Sequence, residues 1–451
     1  MDFAAQLRVL QAAHGDPAKL ALAAVDLAYP SLPDTERALL KETLAAAAIP
    51  HWCDEALLAA LLGISVEAST ARLVRLRGLN VVEPFPARGL NAVNVHEAAR
   101  LALRKAMAEE AGERFRALSG RAAATFADDF SPTGRIEWLY HLLCADPERG
   151  AAECEALDRK WSSAARPEDR YALALVLAEL EASGLVAGRA RVEVLLCVAE
   201  SRSSRGETAQ LQSNASVALA LAKQCGHASG EARANSLVGD VFQAQGKLAE
   251  AHAAFEARMQ ISRRLAQLDP SNAEWQRGLA VAHSKVGDVL QAQGKLAEAQ
   301  AAFGENLRIS RGLAELDPGN AGWQRELAVA HSTVGDVLQA QGKLAEAQAA
   351  FAEGLKIFRA LTELDPGNAG WQRDLAVACV KVARAEQELG RMTSAVAHFA
   401  EAQRVYAALV KAAPGFVEWV KEQGWVEEEL AEARRLAAAQ GDSESPGTAG
   451  A

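Results

Sequence analysis

The chain has 451 residues, half of them hydrophobic but only 5% aromatic, and a formal net charge of −10. The acidic balance argues against a chain whose main business is coating nucleic acid. No apolar run nears the roughly 18–20 residues of a membrane span, and Met1–Arg8 does not read as a signal peptide, so a cytoplasmic protein is expected. The hydrophobic half is mostly Ala and Leu, mixed with Glu, Arg and Gln, which points to closely packed helices in roughly two to four domains. Cys53, Cys144, Cys154, Cys197, Cys225 and Cys379 lie far apart with no C-x-x-C pair, so neither a zinc cluster nor a disulfide framework is suggested.

Residues 1–32 read as a helical lead segment, and 33–107 have a different texture. Pro33 to Ala46 is a helix candidate with Pro in the first turn. Asp54 can cap a helix over Glu55–Leu62, which Gly63 ends, and Ser65 or Glu67 starts a third helix to about Leu76. Val81–Glu83 and Ala92–Val95 read as two short strands around the loop Pro84–Asn91, and helix resumes over His96–Met107. Three helices, a two-stranded wing and a fourth helix make a winged helix. Such a module can read DNA through its third helix, where Arg72, Arg75 and Arg77 lie, with Arg88 in the wing. The segment holds nine basic and eight acidic residues, a balance that offers little phosphate neutralisation.

The stretch Asp54-Glu55-Ala56-Leu57-Leu58-Ala59-Ala60-Leu61-Leu62-Gly63 resembles the second helix of the winged helix that follows the nucleotide-binding domain in signal-transducing (STAND-type, NB-ARC/NACHT-like) ATPases. Val95-His96-Glu97, followed by Ala98-Ala99-Arg100, is similar to that family's Met-His-Asp segment, with Val for Met and Glu for Asp. The resemblance implies that His96 matches the histidine that senses nucleotide. No G-x-x-x-x-G-K-[ST] occurs, so the ATPase itself is expected to be absent, and His96 to be structural or to meet nucleotide on a separate ATPase chain.

Residues 108–204 read as a helical connector of the kind that joins winged helix to repeats in those ATPases. Ile136–Leu143 is an apolar helix ended at Asp146-Pro147, and His141 within it reads as a satisfied core or boundary side chain.

Residues 205–439 carry a repeat. Val238-Gly239-Asp240-Val241 recurs at 286–289 and 334–337, Gln245-Gly246-Lys247-Leu248 at 293–296 and 341–344, and Trp275 at 323, 371 and 419. The step is 48 residues, and copies 272–319 and 320–367 differ at only nine positions. Each unit reads as two antiparallel helices, in one copy about 273–292 and 296–313, turned at Gly294 and broken at Asp317-Pro318-Gly319-Asn320. A worn last copy keeps Gly390, Ala395 and Phe399. Gly287, Gly294, Ala299, Phe303 and Leu307, followed by Pro318, resemble the tetratricopeptide repeat, whose unit is about 34 residues. The extra length splits evenly between the two helices, lengthening each by about two turns.

The resemblance implies a concave face made by the first helix of each pair. Its residues would be Ser236, Asp240 and Gln243, then Ser284, Asp288 and Gln291, then Ser332, Asp336 and Gln339, and last Val380, Arg384 and Gln387. Such a face offers an acidic and an amide ladder, suited to a protein or peptide with basic residues. It also reads as a solvated face copied by duplication. The Trp ladder is expected between neighbouring repeats. His283 and His331 fall on separate repeats, so no metal site is expected. No nucleophile elbow, H-E-x-x-H or phosphate loop is present, and the carboxylates sit in solvated helical patterns. The tail, 440–451, is small, polar and expected to be disordered.

The expectation is an all-α chain: winged helix with a small β-wing, helical connector, then a tetratricopeptide-like α-solenoid. Its function would be non-catalytic protein interaction or sensing, without cofactor or metal. A protein or peptide would fill the groove, a separate ATPase chain would be a possible second partner, and there would be no membrane contact. The alternatives are a DNA-binding transcriptional regulator with a repeat sensor and a truncated STAND ATPase fragment.

Overall fold

The computed structural model describes residues 3–163, 166–203 and 208–443. These fall into two compact units, 1–237 and 238–451.

The first unit opens with α1 (Phe3–Ala12) and α2 (Pro17–Ala28), followed by α3 (Asp34–Ala47), α4 (Glu55–Leu62) and α5 (Val66–Leu76). Asp54 caps α4 by accepting from Leu57 N at 2.8 Å, and Gly63, at φ 66°, ends it in a left-handed conformation that costs glycine nothing. Strands β1 (Val82–Pro84) and β2 (Val93–Val95) pair antiparallel, Val82 opposite Val95. A bridge from Cys53 to Val93, with both backbone bonds at 2.8 Å, ties the ribbon to the α3–α4 loop; it links positions 40 residues apart and has no local sequence signal. Next come α6 (Glu97–Glu110), α7 (Gly112–Thr125), α8 (Pro132–Ala145), α9 (Pro147–Ser163), α10 (Pro167–Ala182), α11 (Gly188–Ser203) and α12 (Thr208–Cys225). One apolar core runs from Ala18 to Val198 without a break at 107/108. Helix α13 (Ala228–Ala244) contains the division between the units.

The second unit consists of helical pairs: α14 (Leu248–Leu268), α15 (Ala273–Ala292) with α16 (Leu296–Leu316), α17 (Ala321–Ala340) with α18 (Leu344–Leu364), and α19 (Ala369–Glu388) with α20 (Met392–Ala412). Helix α21 (Val417–Ser443) follows; it takes in the first residues of the tail, and the rest lies outside the described residues. The second helices reach Leu316 and Leu364, about a turn beyond the expected end, because the chain stays helical until Asp-Pro. Gly294 and Gly342, both at φ 76°, make the turn within each pair.

Each first helix is capped by an asparagine that the repeat supplies at a fixed place. Asn272, Asn320 and Asn368 accept from the backbone N–H of Trp275, Trp323 and Trp371 at 3.1–3.2 Å. Trp323 packs against Ala280, Ile309 and Leu313 of the preceding pair, as an inter-repeat residue should. It is half-buried rather than buried, because it stands at the open end of the hairpin.

Candidate functional site

Ion pairs show how the second unit is layered. First helices join first helices through Arg277–Glu326 at 2.6 Å, Arg325–Asp374 at 2.5 Å and Arg373–Glu422 at 2.5 Å. Second helices join through Arg359–Glu401 at 2.6 Å. The expected groove residues from Ser284 to Gln387 therefore lie along one layer of side-by-side helices, α15, α17 and α19, while Ser236, Asp240 and Gln243 lie on α13.

Their partners differ from a simple acidic ladder. Lys285 Nζ lies 2.6 Å from Asp240 Oδ1 of the preceding first helix, and Lys381 Nζ lies 2.6 Å from Asp336 Oδ2. The equivalent position between them is Thr333, whose hydroxyl donates to Ala330 O at 3.0 Å on its own helix. Asp288 makes no ion pair or hydrogen bond among the described residues. Burial pushes its carboxyl above the ordinary value; Lys285 opposes this, and Asp240 and Asp336 add to it. Two of the three aspartates are thus neutralised from within, and one is not.

The amide and serine positions are mixed. Gln339 donates to Glu388 at 2.5 Å, and Ser332 to Ala328 O at 3.2 Å. Ser284, Gln243, Gln291 and Gln387 are half-buried, while Ser236 is buried on the amino-terminal side of the division between units. Arg384 donates to Glu429 at 2.9 Å and lies over the Trp425 ring at 4.6 Å.

The structure brings Asp336, Gln339, Val380, Arg384 and Gln387 together around a cleft of about 630 Å³. Val377, Lys381 and Glu388 of α19, Tyr406 of α20 and Glu422, Trp425 and Glu429 of α21 complete its walls. The repeat marks α21 by Trp419 at its start, but Glu422, Trp425 and Glu429 have no counterpart among the groove positions of the earlier copies.

In the first unit the four arginines weighed for DNA are occupied. Arg75 pairs with Glu36 at 3.0 Å, Arg72 reaches Thr43 Oγ1 at 3.5 Å, Arg77 donates to Leu90 O, and Arg88 lies over Trp52 at 5.0 Å. His96 is exposed at the start of α6; its backbone N–H donates to Val81 O at 2.9 Å, and its side chain makes no cap bond.

Sequence reasoning missed a buried polar hub. Glu179 on α10 takes both arms of Arg100 from α6, one at 3.0 Å, and the Tyr140 hydroxyl at 2.6 Å. His51 Nδ1 stands 2.9 Å from Glu137 on α8. Arg104 is fully buried over the Tyr140 ring at 4.4 Å. His141 is buried as expected but not satisfied. Neither ring nitrogen has a hydrogen-bond partner, and the nearest carboxylate oxygen, on Glu137, is 3.6 Å away. Phe126 stacks on the ring at 6.0 Å and Tyr140 meets it edge-on at 5.3 Å.

No group of three His, Cys, Asp or Glu side chains able to hold a metal occurs among the described residues, and no helix there is by itself long and apolar enough to cross a membrane.

No protein-family model and no curated protein matches the chain. Among solved structures it is similar to a signal transduction ATPase with numerous domains and a tetratricopeptide repeat sensor from Pyrococcus horikoshii. That match has 13% identity and a TM-score of 0.50, covering 98% of this chain and 63% of that one. It is also similar to BtubC from P. vanneervenii, at 17% identity and TM-score 0.40 over 62% of this chain and 93% of that one. A thermophilic tetratricopeptide repeat protein of Thermus thermophilus matches at 14% and 0.31, over 52% and 98%. What this likeness carries is the fold: a helical solenoid of tetratricopeptide type. The chain spans under two thirds of the length of the Pyrococcus protein.

Proposed function

We propose that the chain is a non-catalytic cytoplasmic scaffold or sensor. The layer of first helices binds a protein or peptide segment, and residues 33–107, read as a winged helix, couple that event to another chain. The cleft around Asp336, Gln339, Arg384 and Gln387 carries the binding part of this reading, because a concave, partly apolar site with a few converging polar groups is what a ligand needs. The coupling part rests on the order of elements and on the resemblance around His96, with a separate signal-transducing ATPase as the other chain; both are arguments by analogy. The internal engagement of Arg72, Arg75, Arg77 and Arg88 weighs against DNA as the partner.

The test is capture from nuclease-treated lysate of the source cells, identified by mass spectrometry, with an Asp288→Ala/Gln387→Ala chain as control. A protein held by the wild type and lost by the control supports the groove, and an ATPase among the captured proteins supports the coupling. Equal capture by both chains would move the site elsewhere. Nucleic acid recovered only when nuclease is omitted, with no protein, would replace the scaffold reading with a regulator. Identical hydrogen exchange over 33–107 in free and partner-bound protein would remove the coupling.

A further inference from the structure

We infer that the groove's partner presents a lysine or arginine side chain to Asp288 and an apolar or aromatic side chain to the cleft beside Val377 and Trp425. This rests on the groove reading above and adds the chemistry of the occupant.

Ion pairs between first helices recur at every step where the duplicated copies allow them. The Arg277, Arg325 and Arg373 pairs are complete, at 2.6, 2.5 and 2.5 Å. The Lys285–Asp240 and Lys381–Asp336 pairs are complete at 2.6 Å each. One link is missing, where Thr333 replaces the lysine and turns its hydroxyl back to Ala330 O. Asp288 is left half-buried and unpaired, with an aspartate on the helix to either side. A half-buried carboxylate in that setting gains from a cation supplied from outside. The missing cation in the flanking repeats is a lysine ammonium, so a basic side chain on a partner occupies the same position chemically. A metal ion fits less well, since no three metal-ligating side chains converge among the described residues.

The cleft supplies the second point of contact. Its charged walls are already matched: Asp336 to Lys381 at 2.6 Å, Glu429 to Arg384 at 2.9 Å and Glu422 to Arg373 at 2.5 Å. What remains for a ligand in that space of about 630 Å³ is the half-buried apolar and aromatic surface of Val377 and Trp425, with the Gln387 amide beside it. That is the arrangement that takes an anchoring hydrophobic side chain.

The decisive variant is Thr333→Lys. It copies Lys285 and Lys381 into the equivalent place, so it completes the ladder instead of disrupting it, and it folds by the same contacts as its neighbours. The probe is a phage-displayed library of random peptides of about a dozen residues, selected on the full chain. Peptides selected on the wild type are expected to be rich in Arg or Lys beside an apolar residue. The best of them should lose at least about tenfold in affinity on Thr333→Lys and on Asp288→Asn. Changing its basic residue to Ala should cost the same on the wild type and little on Thr333→Lys. Peptides without basic enrichment, or with equal affinity for wild type and Thr333→Lys, would overturn this inference and leave the groove reading intact. Peptides whose binding is indifferent to Gln291→Ala, Gln387→Ala and Trp425→Ala, or no selected peptide at all, would sink the groove reading and this inference with it.

Discussion

Gly287 faces the ring of Phe303 so closely that a β-carbon on the glycine would stand 2.6 Å from the ring edge. The same relation joins Gly335 to Phe351 and Gly239 to Phe255, each at 2.4 Å. In these three pairs the helices close on each other where the first has no side chain; the last pair, α19–α20, carries Ala383 at the equivalent place, buried with Phe399.

Gly287→Ala is therefore expected to destabilise the second unit by about 1–3 kcal/mol through overpacking. Gly278 and Gly304 sit in the same two helices with no atom within 4 Å of an added β-carbon. Their alanine variants should be neutral or gain up to about 1 kcal/mol from helix propensity. Urea midpoints of the three variants check this, and equal behaviour at all three would refute the packing account.

Trp323 fills the joint between two repeats against Ala280, Ile309 and Leu313. Full burial would make Trp323→Ala cost about 3–5 kcal/mol; half-burial should bring it to about 2–4. A loss confined to the second unit, read by hydrogen exchange, is the expected pattern. Unchanged stability with lost peptide binding would instead make the tryptophan a ligand contact.

The hub in the first unit predicts a pH dependence. Burial pushes His141 down to about 4, so between its ordinary 6.5 and that value the unfolded chain binds a proton that the folded chain refuses. The contribution of His141 is complete above pH 6.5 and is lost as pH falls towards 4, by up to about 3 kcal/mol. Although burial opposes it, contacts with His141 and His51 hold Glu137 well below the usual carboxylate range. Bonds from His51 and Arg100 do the same for Glu179. The stabilisation from these two carboxylates is present above their ordinary values, so it is lost mainly below the His141 window. His51 is itself held up, against burial, by Glu137 and Glu179, so its contribution is complete below its ordinary 6.5 and is lost as pH rises from there through its raised value. His141→Phe, which keeps the stacking on Phe126, should flatten the fall in urea midpoint between pH 7 and 4.5. A variant with the wild-type slope would assign that slope elsewhere.

Much of this was legible in the sequence, because duplication printed the second unit in copies. The turn glycines, the Gly–Phe contacts and the helix pairs all fall at the 48-residue step. The first-unit elements were legible where caps are local, as at Asp54, Ser65 and Gly63. What sequence did not show is what joins distant positions. The Cys53–Val93 bridge spans 40 residues, and the pairing of Arg100 with Glu179 spans 79. The groove lies between these cases. Lys285 against Thr333 is one of the nine differences between copies, but its meaning depended on seeing that the lysine reaches back to the preceding aspartate.

The proposed binding face is the layer of first helices. Hydrogen exchange of the full chain, with and without a saturating selected peptide, tests it most directly. The account predicts slowed exchange in α15, α17 and α19 around Asp288, Gln339 and Gln387, with α16 and α18 unchanged. Protection confined to the second helices, or to 33–107, would contradict it.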